Sequence, residues 1–165
     1  MRTLIAIVLV FSALTLLPGC DEETARSTHA VELDGRWFHL ELALDHQARV
    51  KGLSGRDFIA DDGGMLFVFP NPGVQQFVMR DCLVPIDIIF LDGAGRVTAK
   101  HKMTVEDDQT ENESDLEYES RLKRYSSRFA AQFVIEIKGG LLDELDIKNG
   151  QRIDLDLNAL KRQAR

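Results

Sequence analysis

Residues 86–91 read IDIIFL and residues 65–69 read MLFVF. Neither run alternates apolar with polar residues, so each predicts a central strand covered on both of its faces. Runs that do alternate flank them. Phe38, Leu40, Leu42 and Leu44 share one face, with His39, Glu41 and Ala43 on the other. Phe133, Ile135 and Ile137 alternate with Val134, Glu136 and Lys138, and Ile153, Leu155 and Leu157 alternate with Asp154 and Asp156. Gln76–Met79 and Arg96–His101 are further expected strands. Asp34-Gly35 separates Ala30–Leu33 from the first alternating run, a two-residue hairpin signal, and Asp92-Gly93 and Asn149-Gly150 supply other turns. Helices are few: Asp45 can cap a short one over 46–51 that Gly52 stops, and another is expected over Leu141–Leu145. Many short strands with Gly-rich turns predict a mainly β domain, a compact sandwich or small barrel with one or two short helices.

The N-terminus reads differently. Arg2 precedes the uncharged apolar run TLIAIVLVFSALTLL at 3–17, which ends in Leu17-Pro18-Gly19-Cys20. The run has the length of a signal-peptide core and is short for a membrane span. It resembles the lipobox of bacterial lipoproteins, which implies cleavage before Cys20 and acylation of that cysteine, palmitate included. Multiple acyl chains give a stable membrane anchor. The expected organisation is a signal peptide at 1–19, a lipidated cysteine and polar tether at 20–29, and one β-rich domain at 30–160. The expected location is the cell envelope, facing the periplasm, and Asp21 after the cysteine resembles an inner-membrane retention signal of Gram-negative lipoproteins.

The chain carries a formal net charge of −7. Residues 106–119 hold eight carboxylates and no Lys or Arg, so the acidity is one local block. That block is expected to be a solvated loop, flexible or weakly helical. No basic footprint for nucleic acid is present. With Cys20 acylated, Cys82 has no disulfide partner and reads as a small core residue; Asp81 beside it would raise its pKa and oppose reactivity.

Asp87 is the most unusual residue, a carboxylate inside a run apolar on both sides. A buried carboxylate costs several kcal/mol unless paired or hydrogen-bonded. Arg56, Arg80 and backbone N–H groups are the candidates to satisfy it, and an Arg56–Asp87 pair is expected. Asp87 then either ties a strand to a loop or serves a ligand pocket as a polar group or general base. Trp37, His39 and Glu41 share a strand face that could stack a sugar or supply half a metal site, but the reading preferred for them is a solvated sheet face. Zinc needs three or four ligands, and no further ligand can be placed, so no metal and no cofactor are expected. There is no nucleophile elbow around Ser54, and neither Gly63-Gly64 nor Gly139-Gly140 forms a phosphate-binding fingerprint.

The segment QFVMRDCLVPIDIIFLDGAGRV at 76–97 resembles the signature of domain-of-unknown-function family 192. GLSGR at 52–56, GGMLFVFP at 63–70 and AAQFVIEIKGGLLDELDIKNGQRI at 130–153 follow the same family pattern, in order, over about residues 31–157. Val78 and Asp81-Cys82 stand where the family usually has an aromatic and Asn-Thr. The resemblance implies a compact, mainly β domain and no particular reaction. The function expected is a membrane-tethered module that binds a small ligand, a glycan or an envelope protein. The alternatives are an envelope hydrolase using a buried carboxylate such as Asp87, or a structural partner in an assembly.

Overall fold

A computed structural model describes residues 28–165. The expected signal peptide, Cys20 and Asp21 lie outside the described residues. The fold is mainly β: one open six-stranded sheet in the order β1-β2-β3-β6-β4-β5. The strands are β1 (Thr28–Leu33), β2 (Arg36–Ala43), β3 (Gly63–Phe77), β4 (Ile86–Leu91), β5 (Val97–Met103) and β6 (Tyr125–Lys138). Asp34 and Gly35 both take positive φ at the β1–β2 turn, as its sequence requires. The central runs behave as read, for every residue of β4 is buried and Met65–Val68 are buried within β3.

The two faces of the sheet carry separate cores. On one face Leu40, Leu66, Phe133, Ile135 and Ile89 pack beneath the C-terminal segment, including Leu141, Ile147, Ile153 and Leu160. On the other, Ala43, Phe67, Val134, Ile88 and Phe90 pack beneath Leu53, Ile59, Met79 and Cys82. β2 and β3 run parallel, whereas the other strand pairs are antiparallel. Parallel neighbours cannot be joined by a tight turn, so the chain must cross over a face of the sheet. Here the crossover carries α1 (His46–Lys51) and the GLSGR loop. Asp45 caps α1 by accepting from the Ala48 N–H at 2.8 Å, and Gly52 ends it at φ 48°.

Several elements differ from the sequence reading. Met65–Phe69 and Gln76–Met79 are not separate strands; β3 runs through both to Phe77, with its ladder interrupted between Val68 and Gly73. Pro70 and Pro72 have no N–H to give there. The buried Gln132 amide instead donates to the Phe69 and Pro70 carbonyls, each at 3.2 Å. The alternation at 153–157 marks an extended segment laid over the sheet, with a single bridge from Arg152 to Arg96, and not a strand. The helix expected over Leu141–Leu145 is a 3-10 turn at Leu141–Asp143. The acidic block contains α2 (Asp115–Arg121), started by a Ser114/Glu117 capping box and pinned by the buried Tyr118. A further helix, α3 (Leu157–Gln163), is capped by Asp156 and buries Leu160.

Asp87 belongs to this framework. It is buried on the face covered by the C-terminal segment, and its Oδ2 accepts from the Leu142 N–H at 2.6 Å, with the Gly140 N–H also bonded to it. These are the free donors at the start of the 3-10 turn, so the carboxylate caps that turn from a neighbouring strand. Gly139 has to be glycine because a Cβ would lie 2.5 Å from Pro85 Cβ, and Gly140 sits at φ 96°. The Gly-Gly pair therefore lets the turn reach Asp87. Asp87→Asn keeps one acceptor but points an N–H at the other donor. We expect a loss of about 1–3 kcal/mol, seen as a thermal midpoint several degrees lower. An unchanged midpoint would show that the cap contributes nothing to stability.

Candidate functional site

The crossover between β2 and β3 leaves an open cleft of about 610 Å³ at one end of the sheet. Glu41 of β2 and Met65 of β3 form its floor, α1 contributes Gln47, Ala48 and Lys51, and the loop contributes Gly52, Ser54, Gly55 and Arg56. The expected Arg56–Asp87 pair does not exist. Arg56 instead meets Glu41 with both terminal nitrogens, Nη1 to Oε1 at 2.6 Å and Nη2 to Oε2 at 2.8 Å. Asp87 lies on the opposite face of the sheet, where its backbone donors leave no need for an arginine. The side chains of Arg56 and Glu41 are 28% and 20% exposed, enough burial for a two-bond pair to hold a fixed geometry. Their mutual bonding, together with Glu41's charge and that of Glu136, raises the Arg56 pKa against the opposing effect of burial.

Glu136 is the residue that sequence reasoning missed. Pairing across the sheet sets Glu41 beside Met65, Met65 beside Glu136, and Glu136 beside Ile88, so all four side chains share one face. Glu136 is 5% exposed and, among the described residues, its carboxyl makes no hydrogen bond and no ion pair. Burial pushes its pKa up to about 8, opposed only by the charge of Arg56. A Cβ added to Gly52 would lie 3.8 Å from Glu136 Oε2, so this carboxyl stands directly behind a residue that lines the cleft. The signal was present in the run AQFVIEIK: like Asp87, Glu136 is a carboxylate with apolar neighbours on both sides.

The other expected site residues are scattered. Arg80 pairs with Glu119 of α2 and not with Asp87. Its carbonyl accepts from Ser54 Oγ at 2.8 Å, which anchors the GLSGR loop. Trp37 and His39 are exposed on the face that Glu41 shares, but only Glu41 reaches the cleft. Trp37 lines a separate recess with His29, Glu32, Asp154 and Asp156. Cys82 is a buried free thiol, as read; burial first, then Glu136 and Asp81, push its pKa to about 11. Tyr118 joins α2 to this region through Asp81, donating to Oδ1 at 3.3 Å. Among the described residues no group of three or more His, Cys, Asp or Glu could hold a metal.

The raised pKa of Glu136 makes a prediction about pH. An unfolded glutamate ionises near 4.5, so the folded chain holds one more proton than the unfolded chain up to about pH 8. This group's contribution is fully present below pH 4.5 and is lost as pH rises through 8. Glu136→Gln should leave the stability at pH 5 nearly unchanged and raise it at pH 8 by on the order of a few kcal/mol, read as a higher thermal midpoint. Equal effects at the two pH values would show that Glu136 ionises normally.

Comparison with solved structures agrees with the fold. A "putative transcription regulator" from Sinorhizobium meliloti 1021 superposes with a TM-score of 0.61 at 24% identity, covering 76% of this chain and 89% of its own. A protein of unknown function from Novosphingobium aromaticivorans DSM 12444 superposes with a TM-score of 0.66, also at 24% identity, covering 90% of this chain and 99% of its own. No curated protein sequence matches the chain. The family model for DUF192, described as an uncharacterized ACR, matches residues 29–155, and the chain therefore belongs to domain-of-unknown-function family 192.

Proposed function

We propose that this domain is a binding module of the cell envelope, held beside a membrane by acylated Cys20, and that the cleft between α1, the GLSGR loop and β2–β3 takes a small polar ligand. The observation that carries the reading is the Arg56–Glu41 pair. It fixes a charged, partly buried wall on an open cleft, the kind of preset polar geometry that orients a ligand. The lipobox at Leu17–Cys20 supports the tether. A hydrolase is less well supported. Asp87 is occupied as a cap, Ser54 Oγ donates to a backbone carbonyl, and the Cys82 thiol stays protonated at neutral pH. Glu136 has a pKa suited to proton transfer, yet among the described residues the nearby Ser54 and Cys82 are not activated as nucleophiles.

Two measurements test the reading. Native mass spectrometry of the full chain, purified in mild detergent, should show a small molecule that is lost with Gln47→Trp, which fills the cleft from the exposed side of α1. A ligand retained by that variant places binding elsewhere. Separately, Cys20→Ala should abolish labelling by radioactive palmitate and move the protein from the membrane fraction to the soluble one. Continued membrane association would refute the lipid anchor.

A further inference from the structure

We infer that the ligand of this cleft presents a positively charged hydrogen-bond donor, an alkylammonium or guanidinium group, which reaches past Gly52 to the carboxylate of Glu136. The inference rests on the cleft being a ligand site, and it names the chemistry of what enters.

Among the described residues, the Glu136 carboxyl makes no hydrogen bond and no ion pair. The side chains around it on the sheet, Met65 and Ile88, are apolar and can offer no hydrogen bond. Arg56 is the nearby cation, but both of its terminal nitrogens are committed to Glu41. Those bonds also leave Arg56 poorly placed to grip an anionic ligand, which would have to displace a two-bond partner. The unmet demand behind the Gly52 wall of the cleft is therefore for a donor, and a cationic donor meets it best, because it removes the cost of a buried carboxylate. Gly52 is the cleft residue next to Glu136, and it puts no side chain of its own between the two, the Phe67 ring lying 3.4 Å from where its Cβ would stand. Its φ of 48° favours glycine, and the missing side chain is the one that would stand 3.8 Å from Glu136 Oε2.

Without such a ligand the carboxyl meets its burial by keeping a proton. Binding of a cation transfers that proton to solvent, so affinity rises with pH until the carboxyl is ionised in the free protein. The groups near this carboxyl are Arg56, held by Glu41 at the cleft wall, Lys51 at the end of α1, and Cys82 with Asp81 on the loop before β4; of these, the charge of Arg56 is the one that bears on its titration. Cys82 stays neutral over this range.

The test uses the full chain in detergent with three probes of one length: n-butylammonium, n-butanol and butyrate. Backbone amide signals of Gly52–Arg56 and the carboxyl carbon of Glu136 are followed by NMR. Butylammonium should shift both and bind more tightly than either control. Its affinity should rise roughly eightfold from pH 7 to 8.5, as the ionised fraction of a group with a pKa near 8 rises. Glu136→Gln should weaken it at least tenfold, whereas Glu32→Gln, at the separate Trp37 recess, should not. Equal binding to Glu136→Gln, or loss with Glu32→Gln instead, overturns the inference. Tighter binding of butanol or butyrate in the cleft overturns it while leaving the cleft a ligand site. No shift at Gly52–Arg56 with any probe overturns both.

Discussion

The parallel pairing of β2 with β3 is the constraint from which the candidate site follows. Two parallel neighbours demand a crossover, and residues 44–62 provide it. That segment must do two things: cover the apolar side chains on one face of the sheet, and return the chain to the same end. Leu53 and Ile59 do the first. The second brings α1 and the GLSGR loop above Glu41 and Met65 with space left beneath them. Arg56 can grip Glu41 because the loop's tight path, with Gly52 at φ 48° and Gly55 at φ 75°, folds it back over the strand it has just left. The loop is secured to the segment before β4 as well, through the Gly55 N–H to the Asp81 carbonyl at 2.7 Å and Ser54 Oγ to Arg80. The cleft wall is thus tied at two points to separate parts of the fold.

Two carboxylates are buried in this sheet, one on each face, and they are handled in opposite ways. Asp87 is given backbone donors by a turn whose two glycines allow it to come close. Burial still raises its pKa, with the N–H bonds and Lys102 opposing the rise. Glu136 is given no donor among the described residues, and burial dominates. An apolar residue at 136 would remove the cost of the buried carboxyl. Groups that lower stability without a local partner are typical of sites kept for binding or chemistry, where stability and function conflict.

The sheet was largely legible in the sequence because its central strands are short runs with no polar face, and because Asp34-Gly35 announces its hairpin. What eluded the reading was set by partners distant along the chain. Alternation at Ile153–Leu157 is a burial pattern, and it is produced equally by a strand and by an extended segment lying across a sheet. The Ser114/Glu117 capping box lay in plain view, but the density of like charge around it favoured a loop; Tyr118, buried against the segment before β4, tipped the balance to helix. Arg56 was expected to pair with a carboxylate, yet only strand register could say which one it would meet. Asp87 and Glu41 project to opposite faces, and Arg56 lies over the face of Glu41.

Glu136 shows the same limit more sharply. Alternation with Ile135 and Ile137 assigns it to a polar face, and in an isolated hairpin that assignment would hold. Here β6 is the spine of the sheet, flanked by β3 and β4, and both of its faces are covered. The main chain at this point is also held close: a Cβ on Gly64 would lie 2.1 Å from the Glu136 carbonyl oxygen, so β3 approaches β6 only because residue 64 is glycine. Glycine at 64 thus draws the backbone of Glu136 into the sheet, and glycine at 52 leaves its carboxyl facing the cleft lining. Gly64 serves the packing of strands, while Gly52 ends α1 and sets no side chain between the cleft and the acid behind it. A fold selected for stability alone would have replaced the acid behind Gly52 with an apolar residue; that it did not is why the cleft, and not the exposed Trp37 face, is the place to look for a ligand.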